Sequence, residues 1–472
     1  MSPKTGNAMS NPGEVDATPI TDRRQLAEYL AAGCKPPREW RIGTEHERFG
    51  FDRTTFRPPP YEPNGIRAIL EELQRFGWTP ILDQGRLIGL KGTEARKQAA
   101  VSLEPGGQLE LSGGLMETLH ETKQELAWFF AEIRTVAEPL GLGFVPLGFH
   151  PTARREDMPW MPKSRYAIMR RYMPKKGRLG LDMMLRTCTV QANLDFESEA
   201  DMVRKMRVSA ALQPLATALF ANSPFVEGRP SGFFSTRAHV WTETDPDRTG
   251  IPAVIFEPGF GFERYVDWVL DVPMYFIQRE GKFIDLAGCS FRAFMAGQLP
   301  ERPGEIATLG DFTDHLTTVF PDVRLKRFIE MRGADAGTPA MMLAQSALWV
   351  GLLYDQAALA AAYALVARHP WQDFVALRSL VPRSGLATRW QKGTLRDLAR
   401  EVVQIAADGL AARKRLDEAG RDERIYLAPL QAIAEGGPTQ AEFWLDRYFH
   451  VWGGAINRIF AESERLNDTI SS

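Results

Sequence analysis

The sequence predicts an α+β chain, with an antiparallel or mixed sheet and helices packed outside it. Three observations point there. Strand-like and helix-like segments follow one another without the regular βα repeat of a parallel sheet. Several short segments alternate polar and apolar residues, the period of a strand with one buried face. Beyond Pro339 nearly every segment has helical period instead.

The elements follow in order. Residues 1–20 are polar and rich in Gly, Pro, Ser and Asn, and predict a frayed tail. They hold neither the apolar run of a secretory signal nor the arginine-rich pattern of an organelle transit peptide. Thr21-Asp22 caps a helix over Leu26–Ala32, stopped by Gly33 and Pro36. Arg41–Phe51 alternates as a strand, and Ile66–Phe76 has helical spacing. Ala99–Leu111 reads as two strands around the turn Pro105-Gly106-Gly107. Met116–Ala137 is a long amphipathic helix, and Gly143–Phe149 a short strand. Met183–Phe196 is a strand, Glu199–Ala221 a helix and Leu325–Met331 a strand. No long linker divides residues 21–472, so they are expected to form one catalytic domain, mainly helical from about residue 340.

Composition narrows the function. With 472 residues, 44% hydrophobic, the chain needs no metal or disulfide merely to hold a core. A formal net charge of −2 carries no broad basic excess, so no nucleic-acid partner is expected. The most apolar stretch, Met341–Ala367, is broken by Gln345, Asp355 and Gln356; it predicts buried helices and no membrane partner. Cys34, Cys188 and Cys289 are scattered, which suits free thiols in a reducing cytoplasm. No GxxxxGK[ST] loop, no GxGxxG between strand and helix, no HExxH and no GxSxG occurs.

The chemistry resides in carboxylates on strand faces. In RIGTEHERFGF, Glu45 and Glu47 are two apart and share a face. Buried like charges repel unless a cation or a proton relieves them, and all-oxygen ligation suits magnesium. In SLEPGGQLELSG, Glu104 and Glu110 flank the turn and reach one face near it. In LRTCTVQANLDF, Thr187, Thr189, Gln191, Asn193 and Asp195 share one face, while Cys188, Val190, Ala192 and Leu194 form an apolar one. That polar row suits a wet pocket floor. In RLKRFIEMRGAD, Glu330 and Arg332 share a face and could serve a metal and a phosphate. Each segment alone is equally the pattern of a solvated strand edge. Together they describe a sheet cradling metal ions and a charged substrate.

These segments resemble the plant-type glutamate–cysteine ligases, also found in proteobacteria. The matching stretches are WRIGTEHERFGF, SLEPGGQLELSG, GLDMMLRTCTVQANLDFESEADMVRK, QPLATALFANSPF, DRTG, DVPMYF and VRLKRFIEMRGAD. The resemblance implies a curved, mainly antiparallel sheet like the catalytic domain of glutamine synthetase. It implies ATP as co-substrate, Mg2+, glutamate and cysteine, and a monomer or weak homodimer. Glu45, Glu104 and Glu110 would serve one ion set, and Glu47, Gln191 and Glu330 the neighbouring one. Many relatives carry His where Gln191 stands. Arg332 would stabilise the transferring phosphoryl group, with Glu330 beside it. Arg237, in FFSTRAHVW, would hold the α-carboxylate of glutamate. Tyr275 matches a cysteine-pocket position, Thr189 and Asn193 belong to the substrate floor, and Lys97 is a candidate phosphate contact. His46, on the opposite face from Glu45 and Glu47, reads as structural, and His150 carries no metal signature.

Plant members carry a redox-switching cysteine pair around a segment matching FIDLAGCSFRAFMAGQLPERPGE. Leu286 and Glu301 occupy those two places here. Three alternatives stay open on the residues alone: a glutamate ligase with another amine acceptor, a phosphoryl transferase of the same superfamily, and a non-catalytic metal- or peptide-binding protein.

Overall fold

The computed structural model describes residues 16–467. Nine strands form one open sheet: β1 (Ile42–Asp52), β2 (Thr79–Asp83), β3 (Arg86–Lys91), β4 (Ala100–Leu103), β5 (Leu109–Ser112), β6 (Leu142–Val145), β7 (Thr189–Leu194), β8 (Val323–Leu325) and β9 (Ile329–Asp335). The order across the sheet is β8-β9-β7-β1-β5-β4-β3-β2, and β6 pairs with the far half of β1. Every pairing is antiparallel. The fold is α+β, as the alternation predicts.

The register decides what meets what. Glu45 lies opposite Gln191, Glu47 opposite Glu110, and Glu330 opposite Asn193. The other face is covered by helices. Thr44 Oγ1 lies 2.7 Å from Ser346 Oγ of the buried helix Pro339–Leu353. The His46 ring meets Phe129 and Phe130 of the helix Leu119–Ala137 edge-on. That helix begins with a reciprocal capping pair, Thr118 and Glu121, which satisfies two of its free N–H groups. His46 is thus structural, and burial holds its imidazole well below the usual range.

Several expectations change. The strand expected over Met183–Phe196 is half helix: Gly180–Arg186 coils, and only Thr189–Leu194 extends. An apolar run does not by itself distinguish the two states. Here the buried pair Asp182–Arg186, four apart with Arg186 Nε 2.8 Å from Asp182 Oδ1, favours the helix. The strand expected over Leu325–Met331 is a hairpin of β8 and β9, turned at Lys326–Phe328. The β2–β3 hairpin is unanticipated. Its signal is present: Gln84-Gly85 takes positive φ at both residues, a two-residue turn between alternating runs.

Residues 1–15 of the expected tail lie outside the described residues. Residues 16–20 are docked. Ile20 is buried and its N–H donates to Ala307 O at 2.9 Å, while Pro19 bridges to Thr308. The apolar run beyond Pro339 forms two helices, Pro339–Leu353 and Gln356–Val366, bent by 92°. Among the described residues no single helix is long and apolar enough to cross a membrane.

Candidate active site

The polar face of the sheet opens into a cavity of about 950 Å³, counting its mouth. Glu45 and Glu47 enter it from β1, Glu110 from β5, and Glu104 from the turn before β5. That turn requires glycine at position 107, where φ is +85°. Thr187, Thr189 and Gln191 form the floor, and Arg165, Arg237, Arg324 and Arg332 bring positive charge. The separate polar strand faces therefore form one chamber with four carboxylates and four guanidiniums.

The carboxylates strain against one another. Burial, followed by the charges of Glu330 and Glu110, pushes Glu45 up to about 8. Burial and Glu110 push Glu104 up to about 7. Glu47 is raised well above the usual range by burial, Glu104 and Glu110. Hydrogen bonds only partly compensate. Glu45 accepts from Asn193 Nδ2 at 2.8 Å and Gln191 Nε2 at 3.0 Å, and Glu47 accepts from the Thr189 N–H at 2.9 Å.

Gln191 joins the acids to the bases. Its Oε1 accepts from Arg332 Nη1 at 2.6 Å while its amide nitrogen donates to Glu45. The strand β9 shifts register between Met331 and Ala334, which places Arg332 and Gly333 in a bulge. Bulges of this kind re-aim side chains beside active sites. Glu330, although on the same face, does not line the cavity. It is wholly buried, gripped by Arg324 at 2.6 and 3.0 Å and by Arg332 at 3.0 Å, with Lys326 Nζ 3.8 Å away. Burial would raise it, yet Arg324, Lys326 and Arg332 hold it well below the usual carboxylate range.

Arg237 starts from a short helix, Thr236–Thr242, anchored to β9. Ser235 and Ser223 both donate to Asp335, at 2.8 and 2.6 Å, and Ser223 Oγ accepts from the Arg237 N–H at 3.2 Å. Arg237 Nη2 donates to Arg332 O at 2.9 Å, and burial lowers its proton affinity.

Tyr275 and Lys97, like Glu330, do not line the cavity. Tyr275 is fully buried in the core, with Oη 3.4 Å from Met173 Sδ, Arg248 over its ring and Tyr172 edge-on. Its neighbour Phe276 lines the cavity instead. Lys97 is exposed on the loop before β4 and pairs with Glu121 at 2.8 Å. Asn193 acts through Glu45 without lining the cavity. Asp195, last of the polar row, binds Lys35 at 2.8 Å and the Arg41 N–H at 2.7 Å, fastening the start of β1. Arg165 and Arg324 were not anticipated. Arg324 stands inside the segment VRLKRFIEMRGAD and could have been read from strand period; Arg165 lies in no motif.

The carboxylates suit hard cations. Among the described residues, no three of His, Cys, Asp and Glu converge to close around one ion. Magnesium commonly takes only one or two carboxylates and completes its shell with water and substrate phosphates, so this donor set fits it. Glu330 fits least well, because three cationic side chains already surround it.

Comparison with known proteins completes the assignment. The family model "Glutamate-cysteine ligase family 2" matches residues 41–462. A glutamate–cysteine ligase of Brassica juncea is 50% identical over 458 residues, spanning 96% of this chain and 87% of that one. The Arabidopsis thaliana enzyme is also 50% identical, over 96% and 85%. One from Oryza sativa subsp. japonica is 48% identical, over 97% and 90%. Among solved structures, a Francisella tularensis glutamate–cysteine ligase in complex with AMP shares the fold, with TM-score 0.55 and 13% identity over 92% of this chain and 89% of that one. The three relatives are named as chloroplastic, which overturns the cytoplasmic location expected from the cysteines. Free thiols report reducing surroundings and do not identify the compartment that supplies them. The chain belongs to glutamate–cysteine ligase family 2.

Proposed function

We propose that this chain joins the γ-carboxylate of glutamate to the amine of cysteine with ATP, the first step of glutathione biosynthesis, in the cavity described above. One observation carries the reading: Glu45, Glu47, Glu104 and Glu110 share a single chamber with Arg165, Arg237, Arg324 and Arg332. A chamber rich in both signs suits phosphates, metal ions and a charged amino acid together.

A carboxylate resists attack by an amine because its leaving group would be oxide. Transfer of the γ-phosphoryl group of ATP to the glutamate side chain gives an acyl phosphate. The amine then attacks the carbonyl and phosphate leaves. Such transfer depends on positioning and charge neutralisation more than on an enzyme nucleophile. Arg332, fixed by Gln191 and Glu330, is set to stabilise charge on the phosphoryl group. Arg237 supplies a planar fork for the α-carboxylate of glutamate. Thr189 and Asn193 hold Glu47 and Glu45 in place. Magnesium, when bound by Glu45, Glu47, Glu104, Glu110 and Gln191, neutralises phosphate and carboxylate charge.

The test is phosphate release with ATP and magnesium, first with glutamate alone and then with each candidate amine. Stoichiometric release coupled to cysteine, and little with other amines, supports the reading. Equal turnover with any amine would make the acceptor something else.

A further inference from the structure

The carboxylates of the chamber continue as a row across three strands. Glu47 of β1 lies opposite Glu110 of β5, and Glu110 lies opposite Ser102 of β4. Residues paired directly across antiparallel strands present their side chains to one face, so Ser102 extends the row on the cavity side. A cation stands at its end: Lys163 Nζ donates to Ser102 Oγ at 2.6 Å. Lys163 is only 4% exposed and lies outside the cavity lining. It is also held in place. The Met161 N–H donates to Pro105 O at 2.9 Å, and the Ser164 N–H and Oγ donate to Asp83 Oδ2 at 2.6 and 2.8 Å. Tyr166 Oη donates to Leu103 O at 2.7 Å. These contacts fasten residues 161–166 to the end of β2, to β4 and to the turn before β5. On the inner side of the row, Ser112 Oγ donates to Glu110 Oε1 at 2.7 Å.

Burying an ammonium against one hydroxyl is unfavourable unless opposite charge stands nearby. Burial and then Arg165 push Lys163 down to about 8, and Glu104, Glu110 and Asp83 oppose that shift. The guanidiniums of Arg165, Arg237, Arg324 and Arg332 line the cavity, where phosphates and substrate carboxylates can engage them. Lys163 is out of their reach, so its charge stays with the acids of the sheet. We propose that Lys163 is a positioning residue of the metal site: a fixed countercharge behind Glu104 and Glu110 that steadies the carboxylate row without metal and limits how tightly magnesium is held before ATP arrives. The inference rests on the magnesium reading above. The interior screens charge weakly, so such a countercharge acts beyond ion-pair distance. Removing it leaves repulsion among the acids uncompensated, and makes the row more attractive to a divalent cation.

The test compares the full-length wild type, Lys163→Met, Glu110→Gln and the double variant at neutral pH. Methionine keeps the length of the side chain and removes its charge. In chelator, Lys163→Met should melt about 2–4 °C below wild type. Glu110→Gln should then raise the melting temperature more in the Lys163→Met background than in wild type, because it removes an acid that has lost its countercharge. A lysine that served packing alone would give the same gain in both backgrounds. Calorimetric titration with magnesium chloride and no nucleotide should show Lys163→Met binding about threefold to tenfold more tightly than wild type. Equal gains in the two backgrounds, or a magnesium affinity unchanged or weakened in Lys163→Met, would overturn the inference. Wild-type binding tests the magnesium reading, and the difference between variants tests the lysine; a wild type that binds no magnesium would overturn both. If Lys163→Met fails to fold, the double variant decides: it should fold, and its failure would make Lys163 a packing residue.

Discussion

Arg332 and Glu330 stand two residues apart on β9, and Arg332 Nη1 donates to Glu330 Oε2 at 3.0 Å. The same nitrogen reaches Gln191 Oε1 across the neighbouring strand at 2.6 Å. The guanidinium is therefore held by two strands before any substrate arrives. Donors fixed in advance need little reorganisation as charge develops, and removing one typically costs about two to three decades in rate. Arg332→Lys keeps a positive charge but not both contacts. Phosphoryl transfer in a single turnover should slow by about that factor, with KM for cysteine little changed. A variant of near-normal rate would remove Arg332 from the phosphoryl site.

The carboxylates should be needed for turnover and not for folding. Glu45→Gln and Glu110→Gln each remove charge at similar volume. Without metal, repulsion inside the cavity falls, so thermal stability in a chelator should hold or rise. Calorimetric magnesium affinity should weaken, and turnover should drop by orders of magnitude. If both variants bind magnesium and turn over as the wild type does, the ions are held elsewhere.

Arg237→Lys should raise the glutamate requirement more than the ATP requirement. Lysine retains charge and loses the planar fork. Truncating one side of a buried charge pair commonly costs about 2–5 kcal/mol, so the rise in KM for glutamate should be large. Measuring both substrates on one variant separates this from a folding defect. Equal weakening of ATP would make Arg237 a structural residue.

Glu125 gives a pH test away from the cavity. It is buried on the helix Leu119–Ala137, accepts from the Gly114 N–H at 2.7 Å, and is pushed by burial up to about 8. Its folded value lies above the unfolded one, about 4.3 for an unperturbed glutamate side chain. The folded state thus binds more protons between those values, and the wild type loses stability as pH rises through that window. Glu125→Gln keeps the oxygen for Gly114 and cannot ionise. Relative to wild type it should gain stability steadily from about pH 4.3 to about 8. Denaturant titrations at three pH values, with chelator present, read the trend; parallel curves would show that Glu125 stays charged when folded.

Thiol reductant or mild oxidant should leave activity unchanged. Leu286 is buried and cannot form a disulfide, nor can Glu301. Cys34, Cys188 and Cys289 are all free thiols. An activation of several-fold on oxidation, with an intramolecular disulfide seen by mass spectrometry, would refute this.

The sequence by itself determined which face each strand presents. A strand has period two, so Glu45 with Glu47, and Glu330 with Arg332, had to share faces wherever those strands went. The turn at Pro105–Gly107 likewise brought Glu104 and Glu110 to one end, because a hairpin is a local event. The resemblance supplied the activity. Only the tertiary structure decided which of these side chains share a chamber. Strand order placed Gln191 between Glu45 and Arg332, contacts across nearly 150 positions of sequence that no local period encodes. Packing drew Tyr275 into the core under Arg248, and the partner Glu121 kept Lys97 outside. It also brought in Arg165, which lies in no motif. Local spacing is set by backbone geometry, which neighbouring residues report, whereas the meeting of distant segments is set by how apolar faces bury one another across the whole chain.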